Sequence, residues 1–270
     1  MVQRSARLLL IASTAAALAT ASQALGAEPA FTNLHVLSKD IEVVQLLAQM
    51  QMFEAGLGKD CDYCHVVVGT VAPGGPGRLP TGFDFALDDK PTKRIARQMM
   101  VMSRTINAMT PAAVGKTAEN TEPVQCFNCH RGMATPPVPL RDILDRTTAQ
   151  KGLSVAIAQY RELRSKYYGS AAYDFSDTPI GEGAGSGTGG LQGYAAQLFF
   201  QGRIDDALAW LNVNLEFYPK SAATWATIAF VQGLVKHNKT EAIRSLQKAI
   251  AIEPQSTQLK AQLGVLEALP

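Results

Sequence analysis

The stretch KDCDYCHVV, residues 59–67, places two cysteines three positions apart and a histidine directly after the second. The same pattern returns in QCFNCHRG, residues 125–132, and the two copies use all 4 cysteines of the chain. A cysteine pair at this spacing can hold zinc, cycle as a disulfide or anchor a haem. A zinc site does not require a histidine directly after each cysteine pair. A thioredoxin-like pair belongs to a βαβ unit, and we expect no strand-rich stretch beside either motif.

Covalent c-type haem accounts for every residue of both motifs. The two thiols of such a motif form thioethers with the porphyrin vinyl groups, and the adjacent imidazole binds the iron. We therefore predict two covalently bound haem c groups in this chain. The residues predicted to hold them are Cys61, Cys64, Cys126 and Cys129 as thioether donors and His65 and His130 as proximal iron ligands.

Residues 1–27 have the layout of a secretory signal peptide. Arg4 and Arg7 precede an apolar run at residues 8–21, which is shorter than a membrane span, and small residues follow. Cleavage is expected after Ala24 or Ala27, and an uncleaved anchor is the alternative. Haem c is attached on the outer side of the bacterial inner membrane. The leader and the motifs together predict a periplasmic protein whose mature chain has no transmembrane span, with membrane association through a partner as a further option.

The charge balance gives no sign of nucleic-acid binding. The chain has 25 basic and 23 acidic residues, and Arg4 and Arg7 lie in the predicted leader, so the mature polypeptide would be formally neutral. Haem propionates would then make the complete protein acidic. The expected partner is another redox protein.

A helical pattern precedes each cysteine motif. The first helix is expected at residues 40–55, with a stop at Gly56 or Gly58, and the second begins near residues 88–89, with Pro91 in its first turn. A polar connection at residues 110–122 then leads to the second motif. This order, helix and then motif, behaves as an internal repeat. The apolar stripes of the two helices are Val43, Leu46, Leu47, Met50, Phe53 and Leu57, and Ile95, Met99, Met102, Ile106 and Met109.

Residues 31–137 resemble the multihaem cytochrome subunit bound to photosynthetic reaction centres of purple bacteria. The resemblance rests on LLAQMQMFEAGLGKDCDYCH (46–65), DFALDDKPTKRIARQMMVMSRTIN (84–107) and VQCFNCHRGMATPP (124–137). It implies that a helix lies over each haem plane and offers a methionine as the sixth iron ligand. The family subunit carries four haems, whereas this chain has two motifs.

For the first haem, the resemblance and the helical spacing both favour Met50 as the sixth ligand. Met50 lies on the apolar stripe eleven residues before Cys61, as in one of the family's repeats, and Met52 is rotated about 200° away from it. The alternative is an ordinary core methionine. His35 offers a bis-histidine arrangement, which would have a lower reduction potential.

For the second haem, Met99 and Met102 share one helix face. Met99 is favoured, Met102 is the alternative, and Met100 is rotated away. The basic residues of this helix, among them Lys93, are expected on a solvated face. The alternative is that an arginine pairs with a haem propionate. The candidates for that pairing are Arg94, Arg97 and Arg131.

The chain changes character after residue 139. A helix is expected at residues 155–167, followed by the glycine-rich linker GEGAGSGTGG at 181–190. Beyond it, three residues recur 35 positions later: Ala207, Pro219 and Ser221 as Ala242, Pro254 and Ser256. This period predicts tetratricopeptide-like helix pairs, whose usual length is 34 residues, with one residue inserted near His237. Plain helical packing is the alternative.

The fold class predicted is mainly α, with a dihaem cytochrome domain of the multihaem type followed by a helical-repeat module. The expected limits are 1–27 for the signal peptide, 28–140 for the dihaem domain, 141–190 for a helix and linker, and 191–270 for the repeats. By resemblance, the function implied is an electron carrier that re-reduces a photo-oxidised reaction centre. The alternatives are a general respiratory carrier, a scaffold tethered through the repeats, and a peroxidase with one five-coordinate haem. Two protein ligands on both irons would leave no open position, which favours a carrier over an enzyme.

Overall fold

The computed structural model describes residues 31–177 and 189–268, and these are mainly helical, which confirms the predicted fold class. The predicted signal peptide and most of the glycine-rich linker lie outside the described residues. The helices are α1 (Val43–Leu57), α2 (Pro91–Ala113), α3 (Cys126–His130), α4 (Leu140–Lys151), α5 (Leu153–Tyr167), α6 (Gly190–Phe200), α7 (Ile204–Phe217), α8 (Ala222–Phe230), α9 (Lys239–Ile252) and α10 (Thr257–Ala268). The strands are β1 (Val66–Ala72) and β2 (Thr81–Asp84).

The described residues form two compact units, each with one cysteine motif. The first unit contains residues 31–51 and 61–109, and the second contains residues 52–60, 110–177 and 189–268. The chain therefore passes from one unit to the other three times, within α1, between Asp60 and Cys61, and within α2. The domain limits expected from the sequence stay a prediction.

Helices α1 and α2 begin and end close to where the sequence predicts them. Gly58 follows the last residue of α1 with φ of 59°, a left-handed conformation that glycine adopts without steric cost. Pro91 is the first residue of α2, where its fixed φ and missing N–H are tolerated. Helix α2 continues through Pro111 to Ala113, so the non-helical connection begins later than predicted.

A two-stranded antiparallel hairpin follows the first motif directly. Val66 pairs with Asp84, and Val67 with Phe83. The expectation that no strand lies beside either motif is therefore wrong for the first one. Most of β1 is exposed, so the alternation of buried and exposed residues that indicates a strand is absent. The hairpin is antiparallel and is not the βαβ unit of a thioredoxin-like pair.

The second unit contains the larger hydrophobic core, to which helices α4 to α8 contribute. Trp210 of α7 is fully buried, and its ring meets Tyr160 of α5 and Tyr194 of α6 edge to face, at centroid distances of 5.8 and 5.5 Å. Helix α5 confirms the helix expected at 155–167. Helix α4 is not among the helices predicted from the sequence. Both α4 and α5, in the segment predicted to connect two domains, share this core through Leu144 and Tyr160.

The 35-residue period of the sequence is also present in the helices. Helices α7 and α9 both have 14 residues, and equivalent positions in them are Ala207 and Ala242, both fully buried. The hydroxyls of Ser221 and Ser256 accept hydrogen bonds from backbone N–H groups in the first turns of α8 and α10, at 3.3 and 3.4 Å. Assignment to the tetratricopeptide class stays a prediction.

A π-helical turn, Val231–Val235, continues α8 and precedes the loop to α9. Lys236 donates its backbone N–H to the carbonyl of Val231, five residues back, at 3.0 Å. Such turns accommodate one extra residue within a helix. The turn lies just before His237, which has φ of 54°, and this is the region where the repeat period predicts an insertion.

Candidate functional site

The first motif is folded as a single 3₁₀ turn, Cys61–Tyr63. The carbonyl of Cys61 accepts the backbone N–H groups of Cys64 at 3.2 Å and His65 at 2.9 Å. Cys61 and Cys64 form no disulfide with a described residue, and both are partly buried. One turn of backbone therefore presents two thiols and an imidazole together, as covalent haem attachment requires.

The first turn of α2 holds this loop in place. Lys90 donates its ammonium group to the carbonyl of Asp62, and Thr92 donates its hydroxyl to the carbonyl of Tyr63. These two contacts satisfy carbonyl groups that lie inside the motif, between its cysteines. The conformation of the motif thus depends on residues some thirty positions later in the chain.

His65 is a neutral imidazole in a partly buried position. Its ring meets the ring of Phe85 edge to face at a centroid distance of 4.9 Å, and its Nδ1 is buried without a hydrogen-bond partner among the described residues. Burial, followed by the positive charges of Lys93 and Lys90, lowers the pKa of His65 to about 4. Burial also raises the pKa of the Cys64 thiol. A neutral imidazole is the form that binds a metal ion.

The second motif is the five-residue helix α3. Asn128 accepts the backbone N–H of Gln125 at 2.8 Å through its side chain, and this contact closes a capping box at the start of the helix. Arg131 ends the helix in the left-handed conformation, φ 52°, and donates its backbone N–H to Phe127 at 2.9 Å. Burial raises the pKa of the Cys126 thiol.

His130 is oriented by the chain that follows it. Its Nδ1 lies 3.0 Å from the carbonyl oxygen of Met133. A carbonyl only accepts hydrogen bonds, so this contact places the proton on Nδ1 and leaves the lone pair of Nε2 available for iron. A proximal histidine of a haem protein needs this arrangement.

The C-terminal end of α1 packs closely against the second motif. A Cβ atom at Gly56 would lie 2.8 Å from the Cβ of Cys126, and one at Gly58 would lie 2.1 Å from the carbonyl oxygen of Gly132. Gly132 donates its backbone N–H to the carbonyl of Gly56 at 2.9 Å. The absence of side chains at these positions therefore allows two backbone segments to meet directly beside Cys126.

The methionine candidates lie on two helices. Met50 is partly buried on α1, whereas the side chain of Met52 is 44% exposed. On α2, Met99 and Met102 are 36% and 48% exposed, and Met100, the rotated residue, is partly buried. The assignment of Met50 and Met99 as sixth ligands stays a prediction.

Helix α2 encloses two of its basic residues and leaves its apolar stripe exposed. Lys93 is 8% exposed and the side chain of Arg97 is 17% exposed, whereas Ile95 and Met109 are 53% and 66% exposed. The expectation of a solvated basic face is therefore wrong at Lys93 and Arg97. An exposed stripe of this kind is suited to covering another apolar surface, and a porphyrin plane is one.

The other candidates from the sequence are placed as follows. Arg94 and Arg97 both bind Asp88, through its carbonyl and its carboxylate respectively. Arg131 lines a cavity of about 870 Å³, to which α4 and α6 also contribute. The ring of His35 is exposed and bonds to the side chain of Asn33.

The donor sets fit haem c better than zinc. Within residues 31–177 and 189–268, no group of three or more His, Cys, Asp or Glu side chains is arranged to hold a metal ion by itself. Each motif instead offers two thiols and one neutral or correctly protonated imidazole, which is the set that covalent haem uses. In the same residues, no helix has the length and apolar character to cross a membrane.

Comparison with known proteins agrees with this chemistry. No curated protein sequence matches the chain. The family model of the photosynthetic reaction centre cytochrome C subunit matches residues 8–176, which is more than half of the chain and includes both cysteine motifs. The chain therefore belongs to the photosynthetic reaction centre cytochrome c subunit family, whose members are electron-transfer cytochromes with covalently bound haem.

Proposed function

We propose that this member of the family is a periplasmic dihaem cytochrome that passes electrons to a membrane-bound redox partner, with a photo-oxidised reaction centre as the favoured acceptor. The observation that carries the proposal is the pair of Cys-x-x-Cys-His motifs, each folded as one turn with its imidazole neutral or oriented. The predicted leader supports the location, and the family supports the acceptor.

Haem c, when bound, supplies one-electron exchange between ferric and ferrous iron. The residues of the chain would hold the haem, orient the iron ligands and exclude water. Cys61 and Cys64 would hold the haem through thioethers, and the loop that carries them is held by Lys90 and Thr92 at the start of α2. His130 has its Nε2 lone pair available for iron, because the carbonyl of Met133 accepts a hydrogen bond from the proton-bearing Nδ1. The exposed apolar stripe of α2 offers a surface that excludes water from a porphyrin face.

The number of haems is tested by mass spectrometry of periplasmic material after acid–acetone extraction. The mature chain should carry the mass of two haems. The double variants Cys61→Ser/Cys64→Ser and Cys126→Ser/Cys129→Ser should each retain one. A wild-type chain with one haem or none would overturn the proposal.

The sixth ligand on α2 is tested by replacing each of the two exposed methionines with alanine in turn. Met99→Ala should remove part of the long-wavelength absorption of methionine-ligated ferric haem and lower one midpoint potential, because methionine ligation raises the potential. Met102→Ala on the same face is the matched control. If only Met102→Ala changes the spectrum, Met102 is the ligand.

The choice between carrier and enzyme is tested on the intact, reduced protein. With protein ligands on both sides of each iron, carbon monoxide should not bind and hydrogen peroxide turnover should be negligible. Carbon monoxide binding to one haem, together with peroxide turnover, would favour a peroxidase. Flash-induced oxidation in membranes that contain reaction centres would identify the acceptor, and its absence would favour a respiratory partner.

A further inference from the structure

A cluster of charged side chains lies at the start of α2, beside the first motif. Lys93 is 8% exposed, and its ammonium group donates to the carbonyls of Phe85 at 2.8 Å and Leu87 at 2.6 Å. It also lies 3.0 Å from the carboxylate of Asp88. A lysine so enclosed is uncommon and needs the partners that it has here.

Asp88 joins Lys93 to a second cation. Its other carboxylate oxygen accepts a hydrogen bond from Arg97 at 2.7 Å, and Arg97 also donates to the carbonyl of Asn33 at 3.1 Å. These two cations hold the pKa of Asp88 well below its usual range. The cluster therefore contains two positive charges and one negative charge at neutral pH.

A single residue, Phe85, connects this cluster to the imidazole of His65, the predicted proximal ligand. Lys93 fixes the backbone of Phe85, and the ring of Phe85 contacts the ring of His65 at 4.9 Å. Thr92, which precedes Lys93 in the chain, donates its hydroxyl to the carbonyl of Tyr63 inside the first motif. Fixed charges at partly buried positions are screened by solvent less than exposed ones, so Lys93 and Asp88 would act on an iron bound by His65.

We propose that Lys93 and Asp88 are positioning residues that hold Phe85 against His65 and set the midpoint potential of the haem at the first motif, Lys93 raising it and Asp88 lowering it. This inference rests on the proposed function, because it requires a haem at Cys61 and Cys64. Reduction of ferric iron adds an electron to the site, so a nearby cation favours the reduced state and a nearby anion opposes it.

The test is a spectroscopically monitored redox titration of the full-length holoprotein. Lys93→Met should lower one of the two midpoint potentials and leave the other unchanged, and Asp88→Asn should raise the same one. A shift of about 59 mV corresponds to a tenfold change in the reduction equilibrium constant, and we expect changes of about this size. Lys93→Arg, which keeps the charge, should restore most of the wild-type value.

The opposite signs separate an electrostatic role from a merely structural one. If the cluster only supported the fold, both Lys93→Met and Asp88→Asn would loosen the site and shift the potential in the same direction. Lys260→Met, which removes an exposed charge on α10, is the control and should change neither potential.

Failure of this inference is distinguishable from failure of the proposed function. If the first motif carries no haem by mass spectrometry, the proposed function is wrong. If the haem is present and the two variants shift its potential equally, or not at all, the inference alone is overturned.

Discussion

The close approach at Gly58 makes the second motif sensitive to a single methyl group. In the variant Gly58→Ala, the new Cβ would lie 2.1 Å from the carbonyl oxygen of Gly132, a distance that real Cβ atoms essentially never show. The obstacle is backbone, so no side-chain rotation relieves it. We expect the end of α1 to move away from the second motif.

The magnitude follows from comparison with Gly115→Ala. Both glycines have left-handed φ, 59° and 66°, and a Cβ at Gly115 meets nothing within 4 Å. The left-handed conformation costs alanine roughly 1 kcal/mol at either site. Only Gly58→Ala adds overpacking, about 1–3 kcal/mol, and loses the bond from Gly132 to Gly56, about 1 kcal/mol. We therefore expect Gly58→Ala to be less stable than Gly115→Ala by about 2–4 kcal/mol.

Denaturant unfolding of both holoproteins, monitored by circular dichroism, measures this difference. Haem content should be determined for each variant, because displacement of the loop beside Cys126 is expected to lower attachment at the second motif in Gly58→Ala only. Equal stabilities within about 0.5 kcal/mol, with two haems in each variant, would refute the reasoning about this contact.

Two further predictions concern α1 and α5. Met50→Ala should remove part of the long-wavelength absorption of methionine-ligated ferric haem and lower one midpoint potential. Met52→Ala, at an exposed position on another face, should do neither. An unchanged spectrum in Met50→Ala would show that Met50 is an ordinary core residue. Arg164→Leu should lower the free energy of unfolding by about 2–4 kcal/mol, because Arg164 is 8% exposed and donates to both the carbonyl of Phe175 and the hydroxyl of Tyr218. Arg161→Leu, which breaks an exposed pair with Glu216, should cost at most about 1 kcal/mol in the same urea titration, and equal costs would contradict this account.

Local patterns of sequence were enough for much of the fold. The two motifs could be recognised because their spacing and the adjacent histidine are required by one chemistry. Pro91 and Gly58 mark helix ends because of their own backbone preferences, and the 35-residue period follows from the repeated burial of equivalent positions such as Ala207 and Ala242. Each of these inferences depends on residues close together in the chain.

The rest depends on contacts between distant residues or on the cofactor. Gly58 predicts a helix end, but nothing in the sequence shows that Gly132 lies against it. The rule that a helix buries its apolar face fails for α2, where Lys93 is enclosed by backbone carbonyls and Met102 is exposed. The hairpin at Val66 was missed because neither of its faces is consistently buried.

The π-helical turn at Val231–Val235 bears on how this chain tolerates changes of length. An added residue in a regular helix rotates everything after it by about 100°, which would turn the buried face of the next helix outward. The wider π-helical turn is able to hold one additional residue locally, and Ala242 and Leu246 of α9, which follow it, are fully buried. Single-residue insertions and deletions at this position are therefore a route by which relatives can diverge in length while the helices on both sides keep their register.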